Sequence, residues 1–389
     1  MKQAGSGLSD RARCAHADNL VIDGCFPMHT GPLGYSENMT DQARRMIERG
    51  ATFSEVRAVM SKLYDDELKD GSCDLWEWLK ASGVTAFNTT VGKVEGSSCQ
   101  DAFDSALREL AVWHRRFDTY DSLIKVTRST DIERAKAESK WGVILGFQNS
   151  THFMNDLGNV ELFYGLGIRI VQLTYNLRNR AGDGCTEPSN AGLSHFGRRL
   201  VKKLNQMRIL VDVSHCGEAT CRDTIEVSGS PVAITHTSCK AIYDHVRAKS
   251  DDLLRMIGAA NGYVGILLIP WFIAAGQPSI DDFVDHVVHA ASIVGVDKVG
   301  IGTDLNSFPP EMRAVNEREK LEALKAHGVT GTGWREGDFQ IPQPELAGYR
   351  DWRDFPRLTE AMLRRNLGEQ EIRGILGRNF VRIFRDSVD

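Results

Sequence analysis

Short apolar runs alternate along this chain with longer segments in which apolar residues recur every three or four positions. The short runs are typical of buried parallel strands, and the longer segments of amphipathic helices. The predicted strands are residues 20–23, 84–88, 123–126, 142–149, 168–175, 209–213, 231–234, 263–269 and 298–302. Strand and helix alternate without internal repeats, which predicts an α/β fold, a (β/α)8 TIM-type barrel.

Two regions depart from this alternation. Residues 37–69 have helical spacing and are predicted to be an insertion after strand 1 that lies over the rim of the barrel. Residues 307–352 are interrupted by Pro and Gly and are predicted to be loop. Two C-terminal helices, at 358–365 and 369–384, are expected to pack against the barrel, so residues 1–389 are predicted to form a single domain.

Residues 208–238 carry the first chemical signal. Two apolar runs there each end in a polar cluster with a histidine, His215 and His236, and a helical segment at 218–227 lies between them. Such a crossover is right-handed in nearly every case, so the carboxyl ends of both strands open on one rim. A single histidine after a strand is more often a core or turn residue, but two imidazoles that converge suit a zinc-type metal.

A third strand end strengthens this interpretation. The Gly-interrupted strand at 298–302 ends next to Asp304. A carboxylate on the same rim supplies either a further metal ligand or the base that takes a proton from metal-bound water. His215, His236 and Asp304 therefore predict a metal-hydrolase site.

The composition narrows the class of protein. A hydrophobic content of 42% and a charged content of 25% are ordinary for a soluble globular protein. The net charge of −5 provides no basic surface, so no nucleic-acid partner is expected. The eight cysteines form no CxxC pair and predict reduced thiols in a cytoplasmic protein. Residues 1–19 are polar and no apolar run is long enough for a span, so neither a secretion signal nor membrane association is expected.

Seven short motifs occur in one order along the chain: GLSHFG at 192–197, LVDVSH at 210–215, ITHTS at 234–238, DHVR at 244–247, GIGTD at 300–304, FPRLTE at 355–360 and ILGRNF at 375–380. In this order and at these intervals, the chain resembles the membrane (renal) dipeptidase family of zinc hydrolases, peptidase family M19.

The resemblance implies a (β/α)8 barrel that cleaves dipeptides with two zinc ions bridged by a carboxylate and a water. His215 and His236 match the histidine ligands of one zinc, and Asp304 matches the aspartate thought to handle the proton of the attacking water. Arg247 matches an arginine that holds the substrate's carboxylate, a task that suits a planar guanidinium. Tyr175 replaces a histidine thought to polarise the scissile carbonyl, and a phenol can still donate to an oxyanion.

Three residues of the family pattern are lost on one side of the site. Cys25 and Pro27 stand where the family has a His-x-Asp pair that binds the other zinc, and Gln148 replaces the bridging glutamate. Proline has no ligand atom, and a neutral amide is a poor bridge between two cations. One Zn²⁺ per chain is therefore expected, with two as the alternative if other residues rebuild the site.

Cys25 has the best claim among replacement ligands, because it occupies the right position and a thiolate binds zinc well. The equally weighted alternative is a small apolar residue at a strand end. Further candidates are His29, His152, Cys185 and Glu187, whereas His195, His286 and His289 fall on predicted helices and are expected to be structural or solvent-facing.

The first functional hypothesis is a metal-dependent hydrolase of an amide bond in a small carboxylate-bearing substrate. Metal-bound water would be the nucleophile, with Asp304 as general base, Tyr175 as oxyanion donor and Arg247 as carboxylate clamp. The alternatives are a catalytically impaired family member that only binds a small carboxylate, or a single-metal barrel lyase or decarboxylase. Relatives are often dimers, which is the ground for expecting a homodimer.

Overall fold

The protein forms a barrel of parallel strands. The computed structural model describes residues 7–26, 35–70, 75–94, 98–305 and 308–389. Within these ranges every strand pairing is parallel. The strands are β1 (Ile22–Phe26), β2 (Ala86–Thr90), β3 (Leu123–Lys125), β4 (Trp141–Phe147), β5 (Ile168–Gln172), β6 (Leu210–Asp212), β7 (Ala233–Thr237), β8 (Tyr263–Ile266) and β9 (Val299–Ile301).

Eight of these strands form the barrel wall in the order β1-β2-β4-β5-β6-β7-β8-β9, and β3 pairs with the beginning of β4. The backbone N–H of Asp304 donates to the carbonyl of Cys25 at 2.9 Å, so the carboxyl ends of β9 and β1 lie side by side. The predicted TIM-type barrel is confirmed. Every residue of β1, β2, β5 and β7 is buried, as expected for parallel strands that are covered on both faces.

Sixteen α-helices occur in the described ranges. They are α1 (Asp10–Ala17), α2 (Glu37–Glu48), α3 (Phe53–Asp70), α4 (Leu75–Ser82), α5 (Cys99–Thr119), α6 (Ser129–Ala137), α7 (Gly158–Gly165), α8 (His195–Gln206), α9 (Glu218–Val227), α10 (Asp251–Ala259), α11 (Pro270–Ile273), α12 (Ile280–Val294), α13 (Pro310–His327), α14 (Phe355–Arg364), α15 (Glu369–Arg373) and α16 (Asn379–Val388). None of these helices combines the length and the apolar character that crossing a membrane requires.

The C-terminal helix α16 packs against the amino-terminal ends of the strands. Its apolar residues Phe380 and Phe384 belong to the same buried cluster as Ile22, Leu210 and Tyr263, which begin β1, β6 and β8. The amino-terminal end of the barrel is therefore core, and the carboxyl ends of the strands are left for chemistry, as in other barrels of this type.

The prediction of loop over residues 307–352 is wrong, because α13 occupies Pro310–His327. Its apolar side chains form no continuous stripe, and only Met312 and Val315 are buried. Helix α1 was also not expected, since residues 1–19 carry few apolar side chains. The insertion after β1 is helical as predicted but divided into α2 and α3, and a π-helical turn at Gly374–Arg378 interrupts the last predicted helix.

Helices α2, α3 and α13 together form a cover over the carboxyl ends of the strands. Arg44 of α2 pairs with Glu311 of α13 at 3.2 Å. The backbone N–H of Phe53, the first residue of α3, donates to the carboxylate of Glu319 at 2.8 Å. Segments that are far apart in sequence are thus joined above the barrel.

Helix α1 is attached to the rest of the fold through a buried histidine. The two ring nitrogens of His16 lie 2.8 Å from the Thr359 hydroxyl on α14 and 2.8 Å from the carbonyl of Ser82. The carbonyl can only accept, so Nε2 carries the proton and Nδ1 accepts from the hydroxyl. Burial lowers the pKa of His16 from 6.5 to about 4.

We expect this histidine to make folding sensitive to acid. Its pKa is lower in the folded than in the unfolded chain, so stability is full above pH 6.5 and is lost as pH falls toward about pH 4. The shift corresponds to about 3 kcal/mol of unfolding free energy. Denaturant titrations across this range should show a weaker pH dependence for His16→Gln than for the wild type. Identical slopes in the two proteins would contradict the assignment.

Candidate functional site

The residues predicted to carry chemistry lie around the carboxyl ends of the strands. Cys25 and His236 lie near the ends of β1 and β7. Gln148 directly follows β4, and Tyr175, His215 and Asp304 each come three residues after the end of a strand. Parallel strand ends share one rim, which is why residues from distant parts of the chain meet here.

Three of these side chains form a compact group, in which Cys25 and His236 are buried and Asp304 is partly exposed. The ligand atoms of Cys25, His236 and Asp304 all lie within 4.8 Å of one another. Cys25 Sγ is 3.8 Å from Asp304 Oδ1, and His236 Nε2 is 3.9 Å from Asp304 Oδ2. His215 is outside this group but adjacent to it, with its ring centre 5.0 Å from that of His236.

The tautomer of His215 follows from its partner, Asn176. His215 Nδ1 lies 2.7 Å from Asn176 Oδ1, and the amide nitrogen of Asn176 donates to the carbonyl of Thr332 at 2.9 Å. The oxygen of Asn176 therefore faces the ring and can only accept, so Nδ1 of His215 carries the proton. This leaves a lone pair on Nε2.

A buried carboxylate determines the tautomer of His236. The Thr235 hydroxyl donates its only proton to Asp212 Oδ2 at 2.6 Å. It must then accept from His236 Nδ1, which lies 2.9 Å away, so Nδ1 is the protonated nitrogen here as well. Partners of this kind orient histidines that bind metals.

The Nε2 atoms of His215 and His236 are both available to bind a cation. Both are buried, and neither has a hydrogen-bond partner among the described residues. Burial, followed by the nearby charge of Arg247, lowers the pKa of both His215 and His236 well below 6.5. Neutral imidazoles with free lone pairs beside a thiol and a carboxyl are a donor set that fits a zinc-type ion.

The Asp304 carboxyl is unusual in backbone and in charge. Its φ of +52° lies in the left-handed region, a strained conformation that is often found at functional sites. Burial raises its pKa from 3.8 to about 7, an effect opposed by Arg247. Burial, followed by the Asp304 charge, also raises the pKa of the Cys25 thiol well above 9.0.

Gln148 interacts with the thiol through its amide nitrogen. Nε2 lies 3.2 Å from Cys25 Sγ and donates to the Thr90 hydroxyl at 2.7 Å. A nitrogen that donates two hydrogen bonds cannot bind a cation. This orientation of Gln148 does not fit a bridging metal ligand.

Arg247 lies beneath the strand ends that carry the two histidines. It is fully buried, and its two Nη atoms donate to the carbonyls of Ser214 and His236 at 2.5 and 2.9 Å. Its Nε has no partner in the described part of the chain. The side chain therefore connects the two strand ends and retains donor capacity.

A cavity of about 580 Å³ opens above the group, between the strand ends and the cover. Gln148, Tyr175, His215 and Asp304 lie on its wall, and the Tyr175 ring stacks on His215 at 4.1 Å between centres. Much of the remaining wall is aromatic: Phe53, Trp271, Phe272, Phe308, Trp334 and Phe339. The cavity suits a small molecule with an apolar body.

The remaining candidates lie outside the group. His152 stacks on Phe147 with ring centres 4.3 Å apart. Cys185 Sγ contacts Asn176 Oδ1 at 3.4 Å, and Glu187 accepts from the backbone of Arg178. His286 and His289 bond within the helical layer, and His195 is exposed. Pro27 and His29 lie outside the described residues.

The sequence reasoning missed the residues that hold the ligands, namely Asn176, Thr235 and Asp212. Asp212 offered a signal, because an acidic residue inside a predicted buried strand needs a partner. It accepts from the backbone and side chain of both Ser214 and Thr235. Asn176 gave no comparable signal, since its role depends on contacts with Thr332 and His215.

The model of the membrane dipeptidase family, peptidase family M19, matches residues 66–340 and 333–388. Dipeptidase tcpJ of Claviceps purpurea is 25% identical over 301 residues, and dipeptidase verJ of Clonostachys rogersoniana is 25% identical over 292 residues. These alignments cover 76% and 74% of this chain but 62% and 66% of the relatives, so the chain spans less than two thirds of their length.

Two solved structures share the fold along nearly the whole chain. An amidohydrolase from Pseudomonas aeruginosa has a TM-score of 0.75 and 28% identity, and the match covers 97% of this chain and 99% of that one. A metallopeptidase from Rhodobacter sphaeroides, liganded with a phosphinate mimic of the dipeptide L-Ala-D-Ala, has a TM-score of 0.68, 17% identity and coverages of 95% and 99%.

The contact between Thr235 and His236 generates a testable prediction. Thr235→Val removes the acceptor for Nδ1–H, so the ring of His236 should lose its single tautomer, whereas Thr235→Ser should keep it. Nitrogen-15 NMR of the imidazole rings in metal-free protein distinguishes the tautomers. An unchanged His236 signal in Thr235→Val would contradict the role of the hydroxyl.

Proposed function

The chain belongs to the membrane dipeptidase family, peptidase family M19, and from this premise we propose that it is a metal-dependent hydrolase of an amide bond. The substrate is a small, dipeptide-like molecule with a carboxylate. The observation that carries the proposal is the pair of buried, unpartnered Nε2 atoms of His215 and His236 next to Asp304, below a cavity. Two relatives that are dipeptidases support the choice of substrate.

The metal in this proposal is one zinc ion per chain, with His236 among the residues that hold it and the unpartnered Nε2 of His215 beside it. When bound, zinc polarises a carbonyl and lowers the pKa of a water molecule. A single ion is supported by the amide of Gln148, which directs its nitrogen toward Cys25 where the family has a bridging carboxylate.

Asp304 is the general base in this proposal. It accepts a proton from the attacking water and returns it to the leaving nitrogen. Its pKa, raised to about 7 by burial, suits a group that both takes up and releases a proton. Its position on the cavity wall gives it access to a substrate.

Tyr175 and Arg247 orient the substrate. The Tyr175 ring lies on the cavity wall and stacks on His215, and these contacts support a role for its phenol as donor to a developing oxyanion. Arg247 pairs with the substrate's carboxylate through the donors that its contacts with the Ser214 and His236 carbonyls leave available. Aromatic side chains on the wall contact the apolar body of the substrate.

A second candidate function is the binding of a small carboxylate without catalysis. It is favoured by the amide at Gln148, which supplies no charge to a metal centre. Zinc-loaded protein incubated with a panel of dipeptides and acylated amino acids separates the two. Turnover supports the hydrolase, and binding with no turnover supports the second candidate.

We expect Asp304→Asn to lower kcat by about 10²- to 10⁴-fold, because the amide cannot accept the proton of the water. Steady-state kinetics on the best substrate of the panel measures this change. Zinc content is determined in the same samples, so that loss of the base is separated from loss of the metal. Wild-type turnover in a zinc-containing variant would contradict the role of Asp304.

We expect Arg247→Lys to reduce the preference for a free carboxylate. The measurement is the ratio of kcat/KM for a substrate with a terminal carboxylate to that for the same substrate with a terminal amide. Replacing the bidentate guanidinium should lower this ratio by about 10-fold. Arg313→Lys is the control for loss of a guanidinium, since Arg313 lies on the cavity wall and Arg247 is buried beneath the strand ends. Equal ratios in wild type and Arg247→Lys would rule out the clamp.

A further inference from the structure

We propose that Cys25 is a thiolate ligand of the metal, in a centre that holds one ion through Cys25, His236 and one carboxylate oxygen of Asp304, whose other oxygen stays available as the base. This inference rests on the proposed function in so far as that function requires a metal. It differs from the family pattern, in which position 25 is a histidine and the centre holds two ions. The three residues come from the carboxyl ends of β1, β7 and β9.

The distances support a single shared ion. One ligand atom from each residue lies within 4.8 Å of the other two. The two other ligand atoms approach different oxygens of Asp304. Cys25 Sγ lies 3.8 Å from Oδ1, and His236 Nε2 lies 3.9 Å from Oδ2. Three protein ligands with one open position is the usual arrangement of a catalytic zinc site.

The surroundings of Cys25 differ from those of an apolar filler. Its sulfur lies 3.2 Å from the amide nitrogen of Gln148 and 3.8 Å from a carboxylate oxygen. The Gln148 amide is held in this orientation by its bond to Thr90 at 2.7 Å, so it presents an N–H to the sulfur. A donated hydrogen bond stabilises a thiolate more than a thiol.

His236 supplies an independent observation. Its Nε2 is fully buried and unpartnered in the described part of the chain, and Thr235 and Asp212 hold the ring from the opposite side. A buried polar nitrogen without a partner is costly unless something binds it. The carboxylate oxygen Oδ2 of Asp304 lies 3.9 Å from this nitrogen, and a cation between these two atoms would satisfy both of them.

The charges also favour one ion. A Cys25 thiolate and an Asp304 carboxylate contribute two negative charges, and His236 is neutral. One divalent cation balances these charges, whereas two divalent cations would leave two positive charges buried beside Arg247. Buried charge without compensation is strongly unfavourable. Gln148 cannot supply the missing charge that a glutamate gives in the family pattern.

Cobalt substitution tests the ligand directly and without reading activity. A thiolate bound to Co²⁺ gives an intense charge-transfer band in the near ultraviolet, which nitrogen and oxygen ligands do not. We expect this band in the cobalt-loaded wild type and its loss in Cys25→Ser. Cys185→Ser is the matched control and should keep the band. Cys185 contacts Asn176, the hydrogen-bond partner of His215, but it does not belong to the group of three residues.

Gln148→Leu adds a readout that a purely structural role would not change. Without the amide N–H the sulfur electrons are less stabilised, so the band should move to lower energy while the ion stays bound. X-ray absorption of the zinc-loaded wild type is independent of any variant, and it should show a sulfur ligand at about 2.3 Å. Elemental analysis should give one zinc per chain.

The outcomes separate this inference from the proposed function. A band that persists in Cys25→Ser, or the absence of a sulfur ligand in the wild-type spectrum, overturns the role of Cys25 whether or not the enzyme is active. Two zinc ions per chain overturn the single-ion centre. A protein with the expected sulfur ligand and no turnover keeps this inference and rejects the hydrolase.

Discussion

Two buried carboxylates, those of Asp23 and Asp212, connect the strands near their carboxyl ends. Asp23 accepts hydrogen bonds from the backbone of Cys25 and from the backbone and hydroxyl of Thr303. Asp212 does the same for Ser214 and Thr235. In each case the carboxylate joins two strand ends, and the threonine immediately precedes a site residue. A buried carboxylate has to be fully bonded, so the strand ends have little freedom to move apart.

This bracing also bears on the proposed cysteine ligand. The positions of Cys25, Asp304 and His236 are set by bonds to backbone groups and to neighbouring threonines, not by the identity of their own side chains. The strands therefore do not depend on which side chain occupies position 25. The residues that brace the strand ends and the proposed ligands are thus separate features of the sequence.

Features of the fold and the site that depend on local sequence patterns could be predicted, whereas features that depend on contacts between distant residues could not. The shared location of His215, His236 and Asp304 on one rim was predictable, because apolar runs mark the strands and parallel strand ends meet on one rim. The sequence could not show that Cys25, and not His215, lies in the group with His236 and Asp304. That depends on distances of a few ångströms between strands, which no sequence pattern encodes. Helix α13 was missed for a related reason: it is mostly solvated, so its sequence lacks the stripe that burial imposes.

The cover has a consequence for how such proteins diversify. Helices α2, α3 and α13 contribute side chains such as Phe53 and Arg313 to the cavity. They contribute no member of the group formed by Cys25, His236 and Asp304. The chemistry and the shape of the chamber are thus encoded in different parts of the gene. Substitutions in the cover can therefore change the shape of the cavity while the side chains at the strand ends stay the same.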